Sequence, residues 1–348
     1  MRHNGPMRYA IAAALLLLTG CRSLGYYAHV THGQVALLSE RRSIDKVLAD
    51  PKTPEKTRRR LELAREARRF ASTRLDLPDN RSYTYYVQLD RPWVAWNVFA
   101  TPELSVAAVT HCFPVAGCVA YRGYFRKDLA DREAARQKAL GHDVAIGEVP
   151  AYSTLGWFAD PILSSMLRWD DDELTGTIFH ELAHQKIYVK DDSSFNESFA
   201  SFVENEGVRE WRQAKQLPAP DEQGDVLNRS FTAQVLALRE RLKAIYAQAW
   251  TDDAKRVAKA EEFEDFRGRY LVWRESEAGG DHRYDRWMGR PLNNATLLPF
   301  GLYDTWVTSF ATLFEEAGRS WPAFFARVQV LAKMAPVERT RELERLKR

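Results

Sequence analysis

Three cysteines, no apolar run of membrane-spanning length, no internal repeat, no low-complexity tract and almost no net charge set the first limits on this chain of 348 residues. The apolar run from Ala10 to Leu18 is too short to cross about 30 Å of hydrocarbon as a helix, so no spanning segment is expected. Residues 1–20 carry two arginines and no acid, which leaves a formal charge of +1 on the remainder. That balance indicates neither nucleic acid nor a strongly acidic partner. With 45% hydrophobic and 28% charged residues, the composition is that of a globular protein with enough apolar material for a substantial core.

What is present is the run His180-Glu181-Leu182-Ala183-His184, followed by Phe195-Asn196-Glu197-Ser198-Phe199-Ala200. On a helix, residues four apart differ by roughly 40° around the axis, so the imidazoles of His180 and His184 can close on one ion. Glu181 stands about 100° round from His180, poorly placed to ligate the same ion but able to reach a water bound to it. Those roles make His180 and His184 metal ligands and Glu181 the general base of an amide hydrolysis, with Zn2+ as the expected cofactor. Leu174, Ile178, Phe179, Leu182 and Ala183 surround the motif at helical spacing, and Asp170, Asp171 and Asp172 precede it as cap and first-turn acids. A catalytic zinc needs a third protein ligand, and both Glu197 and Glu204 lie on one face of the next expected helix. Spacing alone does not separate ligand from neighbour.

The segment Asn196-Glu197-Ser198-Phe199-Ala200 resembles the Asn-Glu-Gly-Phe-Ala segment of the gluzincin aminopeptidases, in which that first Glu binds zinc. The resemblance implies Glu197 as third ligand, with Glu204 as alternative ligand or as an acid that orients a histidine. Two departures stand out: only twelve residues separate His184 from Glu197, and Ser198 replaces the glycine. The wider chain is similar to bacterial lipoproteins described as predicted aminopeptidases. The shared strings include Trp96-Asn97-Val98-Phe99-Ala100, Cys112-Phe113-Pro114-Val115-Ala116-Gly117-Cys118, Tyr121-Arg122-Gly123-Tyr124-Phe125 and Ala151-Tyr152-Ser153-Thr154-Leu155-Gly156-Trp157-Phe158.

Leu18-Thr19-Gly20-Cys21 reads as a lipobox, so cleavage before Cys21 and acylation of that residue would anchor the protein to a membrane through lipid. Arg22 stands where an inner-membrane retention signal would place Asp, and the lipoprotein resemblance then implies the periplasmic face of the outer membrane. In that oxidising compartment Cys112 and Cys118 are close enough in sequence for a small disulfide loop. A second metal site there with His111 would lack a fourth ligand nearby.

The expected fold is α+β and mainly helical, with a gluzincin, thermolysin-like zincin core and a small sheet beside the active-site helix. The expected organisation is a signal peptide over 1–20, an N-terminal helical segment over 21–80, a mixed sheet and helix lobe over 81–160, and a helical zinc-peptidase lobe over 161–348. Tyr27 to Leu77 reads as two helices broken at Asp50-Pro51, with Arg58-Arg59-Arg60 on a wet face. Strands are expected between Tyr83 and Val119, a helix from Tyr124 to Leu140, and another strand within Val144 to Phe158. Within it, Tyr152 to Trp157 is expected to be the cleft edge on which an extended peptide lies. Arg229 to Ala249 and Asp252 to Glu275 read as an antiparallel helical hairpin.

Tyr303 is the first choice for a donor to the developing oxyanion, with Tyr188, Tyr284 and His282 as competitors. The Gly-x-Met-Glu-Asn string that holds the substrate's α-amine in gluzincin aminopeptidases is absent, which leaves Glu148, Asp160 or Glu204 for that task. The expected function is therefore a membrane-anchored zinc metallopeptidase acting on peptides as an aminopeptidase. The alternatives are an endopeptidase acting on envelope protein or peptidoglycan peptides, and a non-catalytic envelope scaffold that holds a partner through exposed aromatics such as Trp93 or Trp169.

Overall fold

The computed structural model describes residues 24–113, 117–220, 222–300 and 305–347. Cys21 and Tyr303 lie outside these residues. The fold is mainly helical with small sheets. The chain opens with helix α1 (24–39), strand β1 (Arg42–Ser43) and helices α2 (Ile44–Ala49) and α3 (Glu55–Thr73). Strands β2 (Tyr85–Val87), β3 (Ala95–Pro102), β4 (His111–Phe113), β5 (Gly117–Val119) and β6 (Tyr121–Tyr124) follow, then α4 (Lys127–Ala139), β7 (His142–Val149) and β8 (Ile162–Leu163). The remainder is α5 (Asp171–Lys186), α6 (Ser193–Ala214), α7 (Glu222–Tyr246), α8 (Asp252–Ser276), α9 (Asp285–Met288), α10 (Val307–Glu316), α11 (Trp321–Lys333) and α12 (Pro336–Leu346).

Strand β3 is the centre of an antiparallel sheet ordered β6-β3-β7, with α4 packed against it. A second small sheet pairs β2 antiparallel to β1 and parallel to β8, while β4 and β5 form a hairpin closed by the Cys112–Cys118 disulfide. The largest core joins α3, α5, α6, α10, α11 and α12, including the fully buried Leu61, Phe179, Phe195, Phe199, Phe310 and Phe324. The α7–α8 hairpin encloses a separate core around Phe231, Phe266 and Trp273, and Thr251 caps α8 by accepting from Ala254 N.

Several expectations need correction. The N-terminal segment breaks twice, since Arg42–Ser43 leaves the helix to pair with Tyr85 and Tyr86. Arg60 is buried rather than wet: it donates to the carbonyls of Trp169 and Asp170 and pairs with Asp171, tying α3 to the start of α5. Tyr124 belongs to β6, and its helix starts three residues later. Strand β7 ends at Val149, before Pro150, which has no N–H to offer a ladder. Tyr152 to Trp157 is a turn instead of a strand, because the buried Asp160 carboxylate accepts from Thr154 N and Thr154 Oγ1 at 3.0 and 2.7 Å. Leu155 and Gly156, at φ of 55° and 80°, complete the reversal. Trp93 and Trp169 are half-buried, the first beneath the Arg168 guanidinium and the second against the main core.

Candidate metal centre

Helix α5 begins where Asp170 accepts from Glu173 N at 2.8 Å, and Asp171, Asp172 and Glu173 place negative charge at the positive end of its dipole. Leu174, Ile178, Phe179, Leu182 and Ala183 are all completely buried, so the helix is enclosed on several sides. Only Ile187 to Asp192 connects it to α6. The side chain of Asn196, itself buried, pins that connection by accepting from Val189 N at 2.8 Å and donating to Val189 O at 2.7 Å. Asp192 caps α6 through Phe195 N and pairs with the buried Arg339 of α12. Ser198 accepts from Trp306 N at 3.1 Å, which anchors the chain ahead of α10 and accounts for a hydroxyl in this motif.

Two glycines let the helices approach. A Cβ on Gly207 would stand 2.8 Å from Phe179 Cδ2 and 2.9 Å from Leu75 Cδ1, and one on Gly176 would stand 3.0 Å from Glu204. A glycine inside a helix costs about 1 kcal/mol relative to alanine, and here the cost is offset by close contact.

This packing brings His180, His184 and Glu197 together. His180 Nε2 lies 3.1 Å from His184 Nε2, while Glu197 Oε2 lies 3.3 Å from the first and 3.5 Å from the second. In a tetrahedral site with ligands about 2.0–2.2 Å from zinc, ligand atoms stand about 3.3–3.6 Å apart, so this donor set fits a small divalent ion. Both imidazoles are buried, and the Glu197 side chain keeps 25% of its exposure, which leaves the cluster a solvent approach. Glu204 is not a member of the cluster. Its Oε2 lies 2.9 Å from His180 Nδ1, on the other side of the ring, where it orients Nε2 towards Glu197.

The electrostatics favour positive charge at this point. Burial opposes a charged His180, but hydrogen bonds and charge from Glu197 and Glu204 outweigh it and hold its pKa well above the usual histidine value. Burial likewise pushes the Glu197 carboxyl up, yet its contacts with His180 and His184 bring it down to about 2. Glu181 is half-buried and follows His180 directly. Tyrosines lie around this region: the Tyr188 ring is 6.3 Å from that of His184, burial and then the charge of Glu197 push the Tyr121 phenol up to about 12, and burial and then the charge of Glu181 hold the Tyr83 phenol well above its usual value. Tyr121 carried no residue-level signal, being visible only as part of a family string.

The remaining expected residues lie elsewhere or are otherwise engaged. Tyr284 stacks on Phe231 at 3.6 Å within the α7–α8 core, and His282 is exposed beside Asp285. Asp160 is turned into the 153–158 turn, and Glu148 is exposed on β7. Cys118 N donates to Asp191 at 2.8 Å, so the disulfide hairpin rests on the connection between α5 and α6. The cavity of about 490 Å³ between Leu63, Asp171 and Trp211 lies at the start of α5, well over two turns from the histidines.

Two histidines one turn apart on a buried helix, a carboxylate from the next helix and an acid beside them define a centre able to hold a metal ion. The chain belongs to the family described as "Putative aminopeptidase", which matches residues 25–343. Membership points to peptidase activity. No curated protein and no solved structure matches the chain.

Proposed function

We propose that the protein is a zinc-dependent aminopeptidase with a gluzincin-like centre, held at the periplasmic face of the outer membrane by lipid on Cys21. The observation that carries this reading is the triangle of His180 Nε2, His184 Nε2 and Glu197 Oε2, with sides of 3.1, 3.3 and 3.5 Å. Zinc held there would act as a Lewis acid that polarises the scissile carbonyl and makes water acidic near neutral pH. Glu181 would take a proton from the attacking water and deliver it to the departing amine as the C–N bond breaks. Glu204 would fix the ring of His180, and the bonds from Asn196 to Val189 would keep Glu197 in reach of both histidines. Tyr188, whose ring lies against that of His184, and Tyr121, which feels the charge of Glu197, are the candidates to donate to the developing oxyanion beside Tyr303. Among the described residues no helix is long and apolar enough to cross a membrane, and lipid on Cys21 would attach just ahead of α1.

An endopeptidase is the second reading. It is favoured by one observation: Asp160 and Glu204, two of the three acids considered for the α-amine, already serve the turn and His180. A mixed peptide library presented with free and with acetylated N-termini separates the two by mass spectrometry. Single N-terminal residues lost only from free peptides support the aminopeptidase, and internal cuts in both sets establish the endopeptidase.

A further inference from the structure

The turn after β7 presents two large apolar rings to solvent. Trp157 is 71% exposed and Phe158 49% exposed. Large apolar side chains held in contact with water are a mark of a binding surface when the backbone beneath them is fixed. Here it is fixed. Trp157 N donates to Thr154 O at 3.2 Å, Phe158 N to Thr154 Oγ1 at 3.1 Å, and Leu155 N to Ser153 Oγ at 3.2 Å. Asp160, with 1% of its surface exposed, accepts from both the N–H and the hydroxyl of Thr154, and Arg41 donates to Ala159 O at 2.7 Å. Leu155 is held at φ of 55°, a left-handed conformation that a non-glycine residue adopts only where its surroundings impose it.

The turn sits on the Glu181 side of α5. A Cβ on Gly156 would stand 3.1 Å from Gln185 Oε1, and Gln185 follows Glu181 by four residues, hence by one turn on the same face. Asn80 holds that Gln185 oxygen from the other side at 2.8 Å. The Gly156 end of the turn therefore lies against α5 one helical turn from Glu181, the residue assigned the proton transfers.

We infer that Trp157 and Phe158 form an apolar subsite that receives a bulky aliphatic or aromatic side chain flanking the scissile bond, an inference that rests on the peptidase reading above. A rigid turn loses little freedom when a side chain lies against it, so the contact is expressed as binding rather than spent on ordering the loop. Apolar contacts of this kind discriminate between side chains by roughly 10–200-fold.

The test uses matched peptides that differ only in carrying leucine or phenylalanine, or alanine, beside the cleaved bond. Wild type, Trp157→Ala, Phe158→Ala and Trp157→Phe are compared by the ratio of kcat/KM for bulky over small side chains. The ratio is expected to fall about tenfold in Trp157→Ala and to return in Trp157→Phe; a ratio unchanged in both alanine variants overturns the subsite. The same peptides are titrated calorimetrically onto Glu181→Gln with and without Trp157→Ala, which reads binding even where nothing is hydrolysed. Failure of the wild type to cleave any peptide removes the peptidase reading, whereas equal binding with and without the indole removes the subsite. Trp157→Ala protein that keeps its ratio but loses affinity for phosphatidylethanolamine–phosphatidylglycerol vesicles would assign the rings to a membrane surface and overturn the subsite as well.

Discussion

Glu204 Oε2 lies 2.9 Å from His180 Nδ1, while Glu197, two helical turns earlier on α6, reaches Nε2 of the same ring at 3.3 Å. One imidazole is therefore held between two carboxylates of one helix, and of the two it is Glu197 that also reaches His184 Nε2, at 3.5 Å. Second-sphere acids of this kind typically contribute 10–100-fold to metal affinity. Glu204→Gln is expected to weaken zinc binding by that factor while the folded structure persists, as read by competition with a chromophoric chelator.

The glycine at the helix crossing makes an opposite prediction to helix propensity. Gly207→Ala should gain about 1 kcal/mol from propensity. Its Cβ would instead press on Phe179 and Leu75 at under 3 Å, and overpacking costs about 1–3 kcal/mol. Thermal unfolding should show a net loss of about 1 kcal/mol, and a gain would refute the close approach of α5 and α6.

Asn196, itself buried, pins the short connection through both backbone groups of the half-buried Val189. Asn196→Ala should cost about 1–3 kcal/mol, since Val189 is half-buried and water can meet part of what its two groups lose. Asn196→Asp keeps the acceptor for Val189 N but turns a buried carboxylate oxygen on Val189 O in place of a donor, and should lose at least as much in chemical denaturation.

Much of this centre could be read from the sequence because the residues that carry it are local. A spacing of four on a helix places His180 beside His184, and the Asp170 cap and surrounding apolar residues fix the helix itself. The choice between Glu197 and Glu204 could not be read in that way, because seven residues along a helix return to the same face. Which of the two acids reaches both histidines is set by the crossing of α5 and α6 at Gly176 and Gly207, a tertiary contact with no local signature. The hairpin of α7 and α8 was legible as two long charged helical stretches, although α7 begins at Glu222, seven residues before the expected Arg229. The turn at 152–158 was not, because its strand-like composition is overridden by Asp160, whose side chain captures the backbone of Thr154. The buried Arg60 shows the same limit, since its partner Asp171 is far away in the chain.

The pH dependence of the chelator-treated protein follows from His180. Its pKa is higher in the folded protein than in an unfolded chain, so the stability it contributes is fully present below about 6.5 and is lost as pH rises through the folded value. Zinc must displace that proton, so the increment in melting temperature from added zinc should grow over the same window. Calorimetry with and without chelator, from pH 6 upwards, checks both slopes.

In the proposed reading His180, His184 and Glu197 hold a zinc ion whose use in hydrolysis depends on Glu181. The most direct measurement pairs zinc stoichiometry with peptide turnover in wild type, Glu181→Gln and Glu197→Gln. Expected are one zinc per chain in wild type and in Glu181→Gln, zinc weakened by at least tenfold in Glu197→Gln, and turnover in wild type alone. Full turnover by Glu181→Gln, or unchanged zinc affinity in Glu197→Gln, would contradict it.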